Sequence, residues 1–216
     1  AHCESPNGRP IRVGYVGAAY KRHSAAMIFG AVVLKHSPRV EVYLYSSLPV
    51  DSNADPVTKH FMGMAGSRWR DISALPDDQA DALIRRDGID ILVDLAGHTN
   101  GGRLALFTRK PAPVQVTAWG FAHGTGCPEI DWFFADKIAL PEEERCWYAE
   151  KIFDLPCIVT YLPPEEYALS GSSKAPYKSN DFITFGCYSR FEKISDDCLR
   201  AFAEVLRRVP DSRLEL

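Results

Sequence analysis

Asp87-Gly-Ile-Asp-Ile-Leu-Val-Asp-Leu-Ala-Gly-His98-Thr99 is the stretch that decides the fold. Ile89–Leu95 is a short apolar run rich in β-branched residues, and it predicts a strand buried on both faces. It runs into His98, Thr99, Asn100, Gly101 and Gly102, a loop at the C-terminal end of a strand. Pro76–Asp87 precedes it with a helical pattern, placing Leu75, Ala80, Leu83 and Ile84 inward. A helix feeding a doubly buried strand is one half of a βαβ unit, so a parallel α/β sheet is expected.

Working outward, the same grammar repeats. Upstream, Ile11–Val16 reads as a first strand, Gly17–His23 as its loop, and Ser24 as the N-cap of a helix with Ala25, Ile28, Phe29, Val32 and Val33 on one face. Val40–Ser46 reads as a second strand, 51–66 as loop plus a short helix, and 68–72 as a short edge strand. Downstream come a short helix around 103–109, a strand over 113–119, and the Gly-rich loop Gly120-Phe-Ala-His-Gly-Thr125-Gly126. A strand over 131–136, an acidic helix over 141–148 and a strand over 151–154 complete the set. In a parallel sheet the loops holding His23, His98–Thr99 and Gly120–Gly126 gather on one edge, where such folds bind ligands. Either those loops line a cleft with imidazole, hydroxyl and backbone N–H groups, or their glycines only serve turns.

The stretch 162–179 is rich in Pro, Gly and Ser and is the best domain boundary. Beyond it, 182–195 reads as a buried strand, a turn at Gly186, a basic loop with Arg190 and Lys193, and a helix capped by Ser195. Cations at a helix N-terminus suit a phosphate; the plainer reading is a βα turn with two solvated cations. The organisation expected is an arm over 1–10, a complete α/β domain over 11–161, a linker over 162–180, and the start of a second α/β domain over 181–216. The chain begins at Ala1 and stops at Leu216 inside a strand pattern, which reads as a piece of a longer protein.

Composition narrows the classes. The 216 residues are 46% hydrophobic, enough for a core, and the net charge of −3 announces neither a nucleic-acid face nor a polybasic membrane face. The six cysteines form no C-x-x-C pair, so neither a zinc site nor a disulfide framework is read, and a reducing, cytoplasmic setting is expected. No apolar run reaches membrane-spanning length and no signal peptide is read. A dinucleotide-binding dehydrogenase is a poor match, because Gly14-Tyr-Val-Gly17 lacks the G-x-G-x-x-G fingerprint.

Four segments together carry a family resemblance: 11–24, with His23-Ser; 85–99, with the D-G-I-D-I-L-V-D-L-A-G-H-T run; 109–120, R-K-P-A-P-V-Q-V-T-A-W-G; and 182–195, F-I-T-F-G-C-Y-S-R-F-E-K-I-S, followed by R-V-P-D-S-R-L. They resemble the catalytic region of the O-GlcNAc transferase and SPINDLY-type glycosyltransferases, family 41, nearer the SPINDLY-like and bacterial branch. The resemblance implies the N-terminal lobe of a two-lobed GT-B fold with Rossmann-like lobes, plus the opening of the C-terminal lobe that binds nucleotide sugar. It implies an inverting, metal-independent transfer of GlcNAc or fucose, from UDP-GlcNAc or GDP-fucose, to Ser or Thr hydroxyls of proteins, with no cofactor. It also implies tetratricopeptide repeats upstream that hold the protein acceptor, and a chain that alone does not turn over.

By the same resemblance, Lys193 matches the lysine on the donor diphosphate, His23 the active-site histidine of the first loop, and Asp87 an acidic position proposed as a base. Gly120, with Phe121, Thr125, His98 and Thr99 around it, matches the donor-sugar region, and Arg190 a polar position near the nucleotide. The general base stays open between His23, Asp87 and the donor's own phosphate. Three departures fall on the expected cleft: Gly17-Ala-Ala-Tyr20 lacks the usual carboxylate, 118–126 shifts its tryptophan and loses a proline and a hydroxyl, and Tyr188-Ser-Arg190 replaces the usual asparagine pair. They motivate the rival expectation, a degenerate lobe that binds a protein or a nucleotide without transfer.

Overall fold

The computed structural model describes residues 8–50, 55–161 and 174–216. The expected arm and linker therefore lie largely outside the described residues. The chain divides into two units, 1–164 and 165–216.

The first unit is a parallel sheet of seven strands: β1 Ile11–Gly17, β2 Val40–Ser46, β3 Trp69–Asp71, β4 Ile91–Asp94, β5 Val114–Thr117, β6 Trp132–Ala135 and β7 Lys151–Asp154. Their order is β3-β2-β1-β4-β5-β6-β7, with every pair parallel. The chain winds outward from β1 to β3, then returns to β4 on the other side of β1. Such a reversal opens a crevice at the C-terminal ends of β1 and β4.

Side-chain alternation splits the core into two layers. Val13, Tyr15, Val42, Leu44, Val93 and Leu95 face Phe29 and Val33 of α1 (Ser24–Val33) and Phe61 of α2 (Pro56–Ala65). Val16, Tyr43, Tyr45 and Leu92 face Ala80 and Ile84 of α3 (Asp77–Asp87) and Leu106 and Phe107 of α4 (Leu104–Phe107). Burying both faces is what made β4 read as an unbroken apolar run. One residue interrupts it: Asp94 is 1% exposed.

Within the helices of the first unit, local expectations need three corrections. The α1 cap is His23, not Ser24: the His23 Nδ1 accepts from the Ala25 N–H at 3.1 Å, and Ser24 is already helical. Nδ1 lies as many bonds from Cα as an Asn side-chain oxygen, so it reaches the same N–H. The buried face of α1 is consequently Ala26, Phe29, Gly30 and Val33. The acidic helix is a run of tight 3₁₀ turns over Glu142–Trp147.

The second unit pairs β8 (Thr184–Gly186) with β9 (Arg213–Glu215) in parallel, joined through α6 (Asp196–Arg208), after a single helical turn, α5 (Tyr177–Asn180). The Ser195 Oγ caps α6 by accepting from the Cys198 N–H at 3.2 Å, as the sequence predicts. Within this unit Thr184 is exposed and Phe185 half-buried.

Candidate functional site

The crevice at the switch point is a cavity of about 260 Å³. Its lining comes from the loops after β1 (Ala18, Ala19, Lys21, His23 and Ala25), β2 (Leu48), β4 (Leu95, Ala96, Thr99 and Asn100) and β5 (Gly120). No carboxylate is among these residues.

Each loop is held from beneath. After β1, Tyr20 is buried and donates its hydroxyl to the Tyr15 carbonyl at 2.8 Å. Its ring meets Phe29, Phe61 and Trp69 edge-on at 5.4–5.6 Å, contacts worth about 0.5–1.5 kcal/mol each. The Arg22 N–H donates to Asp55, the cap of α2, at 2.9 Å. The loop thus arrives at His23 with little freedom. His23 Nδ1 accepts the capping bond, so the neutral ring carries its proton on Nε2 and offers that N–H outward.

After β4 the anchor is Asp94. Its carboxylate accepts from the Ala96 N–H (3.1 Å), from the Gly97 N–H on both oxygens (3.0 and 2.9 Å) and from the Thr117 hydroxyl (2.8 Å). Burial pushes this carboxyl above the usual carboxylate range, against the pull of Thr117 and the two N–H groups. The sign follows by linkage: the folded state holds this proton more tightly than the unfolded chain does. The favourable contribution is complete below the unfolded pKa and is lost as pH rises through the folded one. Asp94→Asn keeps an acceptor for the backbone and can donate to Thr117, so stability equal to or above wild type is expected at pH 7, with the difference vanishing toward pH 3. Asp94→Ala strands three donors and should lose about 2–5 kcal/mol. Chemical denaturation across pH reads both; an Asn variant as weak as the Ala variant would contradict this account.

After β5 the chain turns through Trp119 at φ 61°, a region costly for a bulky residue. The turn closes with the Gly120 N–H donating to the Ala118 carbonyl at 2.7 Å. The indole N–H donates to the Ile158 carbonyl at 3.0 Å, and the ring sits edge-on to Phe134. This corner lays Gly120 flat on the β4 loop, where any Cβ would overlap the Leu95 carbonyl. Gly97, at φ 53°, is tight as well: a Cβ there would stand 2.5 Å from that of Phe121.

Among the residues expected in the site, His23, Thr99 and Gly120 meet in the cavity. His98 is exposed on the same loop and donates from Nε2 to the Thr125 carbonyl at 2.8 Å. Phe121 packs edge-on to His98 and lines a second, apolar cavity with Trp119, Phe134 and Tyr148. Thr125 is buried against Glu150. Asp87 is not brought to the cavity. It closes α3, where its backbone carbonyl meets Arg12 at the start of β1. Its carboxylate accepts two bonds from Arg70 (3.0 and 2.8 Å) and one from the Tyr45 hydroxyl (2.8 Å). Arg190 and Lys193 lie in the second unit, exposed, in the turn before α6. Asp94, Thr117, Glu150 and Lys21 were not foreseen. An aspartate inside an apolar strand was a readable signal for Asp94; Glu150 carried none.

A family model, Glycosyl transferase family 41, matches residues 2–162. The probable UDP-N-acetylglucosamine–peptide N-acetylglucosaminyltransferase SPINDLY of Solanum lycopersicum is 35% identical over 95% of this chain. The corresponding enzyme named SEC from Arabidopsis thaliana is 30% identical over 95%. In both cases this chain spans about a fifth of the relative, 22%. A solved structure of a mutant Thermobaculum terrenum O-GlcNAc transferase matches with a TM-score of 0.84 and 34% identity, over 95% of this chain and 38% of that one. No helix among the described residues is long and apolar enough to cross a membrane. With the doubly wound sheet, the loop cavity and these matches together, the chain belongs to glycosyltransferase family 41, the O-GlcNAc transferase and SPINDLY type.

Proposed function

We propose that this chain is part of the catalytic region of a protein O-glycosyltransferase that moves GlcNAc or fucose from a nucleotide sugar to Ser or Thr hydroxyls. The observation that carries this reading is the cavity at the switch point, walled by His23, Thr99 and Gly120 on three separately anchored loops. A flat backbone surface at Gly120 suits a sugar ring, which a side chain would displace. The described lining of this cavity offers hydroxyl, imidazole and backbone groups to the sugar, and no carboxylate. We read the transfer as a single displacement that inverts the anomeric centre. The leaving diphosphate gains negative charge as its bond to the sugar breaks, and Lys193 is assigned to it; no metal ion is invoked.

His23 takes the role of hydrogen-bond donor. Its Nδ1 lone pair is committed to the Ala25 N–H, so the resting ring offers a proton from Nε2 rather than a basic site. Removing a donor aimed at developing charge lowers rate by about 10²–10³. His23→Ala also removes a helix cap, worth ~1 kcal/mol. His23→Asn restores the cap and removes the imidazole, so it should keep the melting temperature of wild type and still lose 10²–10³ in rate. Transfer to a Ser/Thr peptide by the full-length protein, read by mass, is the test. An Asn variant within tenfold of wild type would sink this role.

A further inference from the structure

Two imidazoles stand on neighbouring loops, and their fixed hydrogen bonds give them opposite characters. His23 offers an N–H. At His98 the Nε2 faces a carbonyl, which only accepts, so Nε2 holds the proton and Nδ1 is left as the basic ring nitrogen. No described residue bonds that Nδ1. His98 is exposed, while Thr99, beside it, lines the cavity.

This arrangement is built rather than incidental. The Thr125 carbonyl that receives His98 belongs to a threonine 6% exposed. The Thr125 N–H donates to the Glu150 Oε1 at 2.7 Å, and its hydroxyl donates to the same oxygen while accepting from the Cys127 N–H at 3.1 Å. Glu150 is itself 4% exposed, and its Oε2 has no hydrogen-bond partner among the described residues. Gly124 makes room for it: a Cβ there would lie 3.0 Å from both that oxygen and the Tyr148 ring. The glycine that replaces a hydroxyl in this loop is thus explained by the carboxylate packed behind it. A buried carboxylate holding one threonine by two bonds fixes the peptide on which His98 rests.

We propose that His98 accepts the proton of the acceptor hydroxyl, and that Glu150 is the positioning residue that holds it ready through Thr125. The inference rests on the transferase reading above. In the step, the acceptor oxygen bonds the anomeric carbon, and the bond from that carbon to the diphosphate oxygen breaks. Its electron pair leaves with the nucleoside diphosphate. The hydroxyl proton passes to His98 Nδ1, and the imidazolium returns it to water. Among the described residues, the charged groups linked to His98 are Asp94 beneath its own loop and Glu150 behind Thr125. His123 lies beyond Phe121, ring to ring at 5.9 Å. Phe121 and Thr125, which touch the ring directly, carry no charge.

The experiment has two arms. In the first, imidazole ¹⁵N spectra of the full chain labelled in histidine report the tautomer without any substrate. His98 should show the proton on Nε2 in wild type and in Glu150→Gln, whose amide oxygen keeps both bonds, and a tautomer mixture in Glu150→Ala. A mixture or an Nδ1 proton in wild type overturns the proposal. In the second, kcat of the full-length protein is followed against pH. His98→Ala should lose about 10²–10⁴ and lose the acidic limb of the profile. Glu150→Ala should lower kcat with KM little changed, and Glu150→Gln should recover it. Wild-type activity with His98→Ala within tenfold and the acidic limb intact overturns the role of His98 alone, whereas a wild-type protein with no transfer overturns the transferase reading beneath it.

Discussion

Replacing Gly120 with alanine should abolish transfer and loosen the first unit. The added Cβ has no room beside the Leu95 carbonyl, and the obstacle is backbone, so no rotamer change relieves it. Either the Trp119 corner opens or the β4 loop moves off its Asp94 anchor. Overpacking of this kind costs about 3 kcal/mol or more. A displacement of about 1 Å at a reacting centre costs ~10² in rate. Gly126→Ala is the internal control. It has φ 70° but nothing within 4 Å among the described residues, so it should suffer backbone strain of only about 1–3 kcal/mol. Denaturation midpoints and transfer rates of the two variants separate steric blockade from conformational strain. A Gly120→Ala protein as stable as wild type would falsify the packing described for this corner.

Lys193→Ala should lower activity as well but leave stability alone. Lys193 is exposed and forms no ion pair among the described residues. It closes the turn over Phe191–Lys193, held by its own N–H donating to the Arg190 carbonyl at 2.9 Å. The capped N-terminus of α6 follows, with Asp196 and Asp197 in its first turn. Those two carboxylates offset the helix dipole, so an anion bound here depends on the cations before the cap. If Lys193 meets the leaving diphosphate, its loss should lower kcat by ~10²–10³ while the melting temperature stays within a degree or two. The check is paired: transfer by the full-length variant and its thermal unfolding. Full activity would return Arg190 and Lys193 to the plain reading of solvated cations on a turn.

The doubly wound sheet was legible because burial on both faces leaves a direct trace. Ile91–Val93 and Val13–Val16 read as unbroken apolar runs, and the helices between them carry their own period. The convergence of the loops with His23, Thr99 and Gly120 followed from the parallel order alone. What the sequence did not disclose were relations carried by single long-range bonds. At the start of α1 the departure is local: Ser24 meets the residue preferences for a cap and His23 does not, yet the Ala25 N–H donates to the His23 Nδ1. The place of Asp87 at a helix end before Gly88 favours a structural role, but nothing in its neighbourhood announces Arg70, seventeen positions earlier on β3. Glu150 lies 25 residues from Thr125 in the chain, in an acidic stretch that reads as surface. Its burial arises only when the loop after β5 folds back on the start of β7.

The most direct test of the central claim, that this chain forms part of a sugar-transferring site, is intact-mass analysis of a Ser/Thr-rich peptide. The full-length protein is incubated with that peptide and, separately, UDP-GlcNAc or GDP-fucose. The account predicts a gain of one sugar mass with one of the two donors, lost in both Gly120→Ala and Lys193→Ala. No gain with either donor, together with no thermal shift by UDP or GDP, would contradict it and leave the cavity to a binding role without transfer.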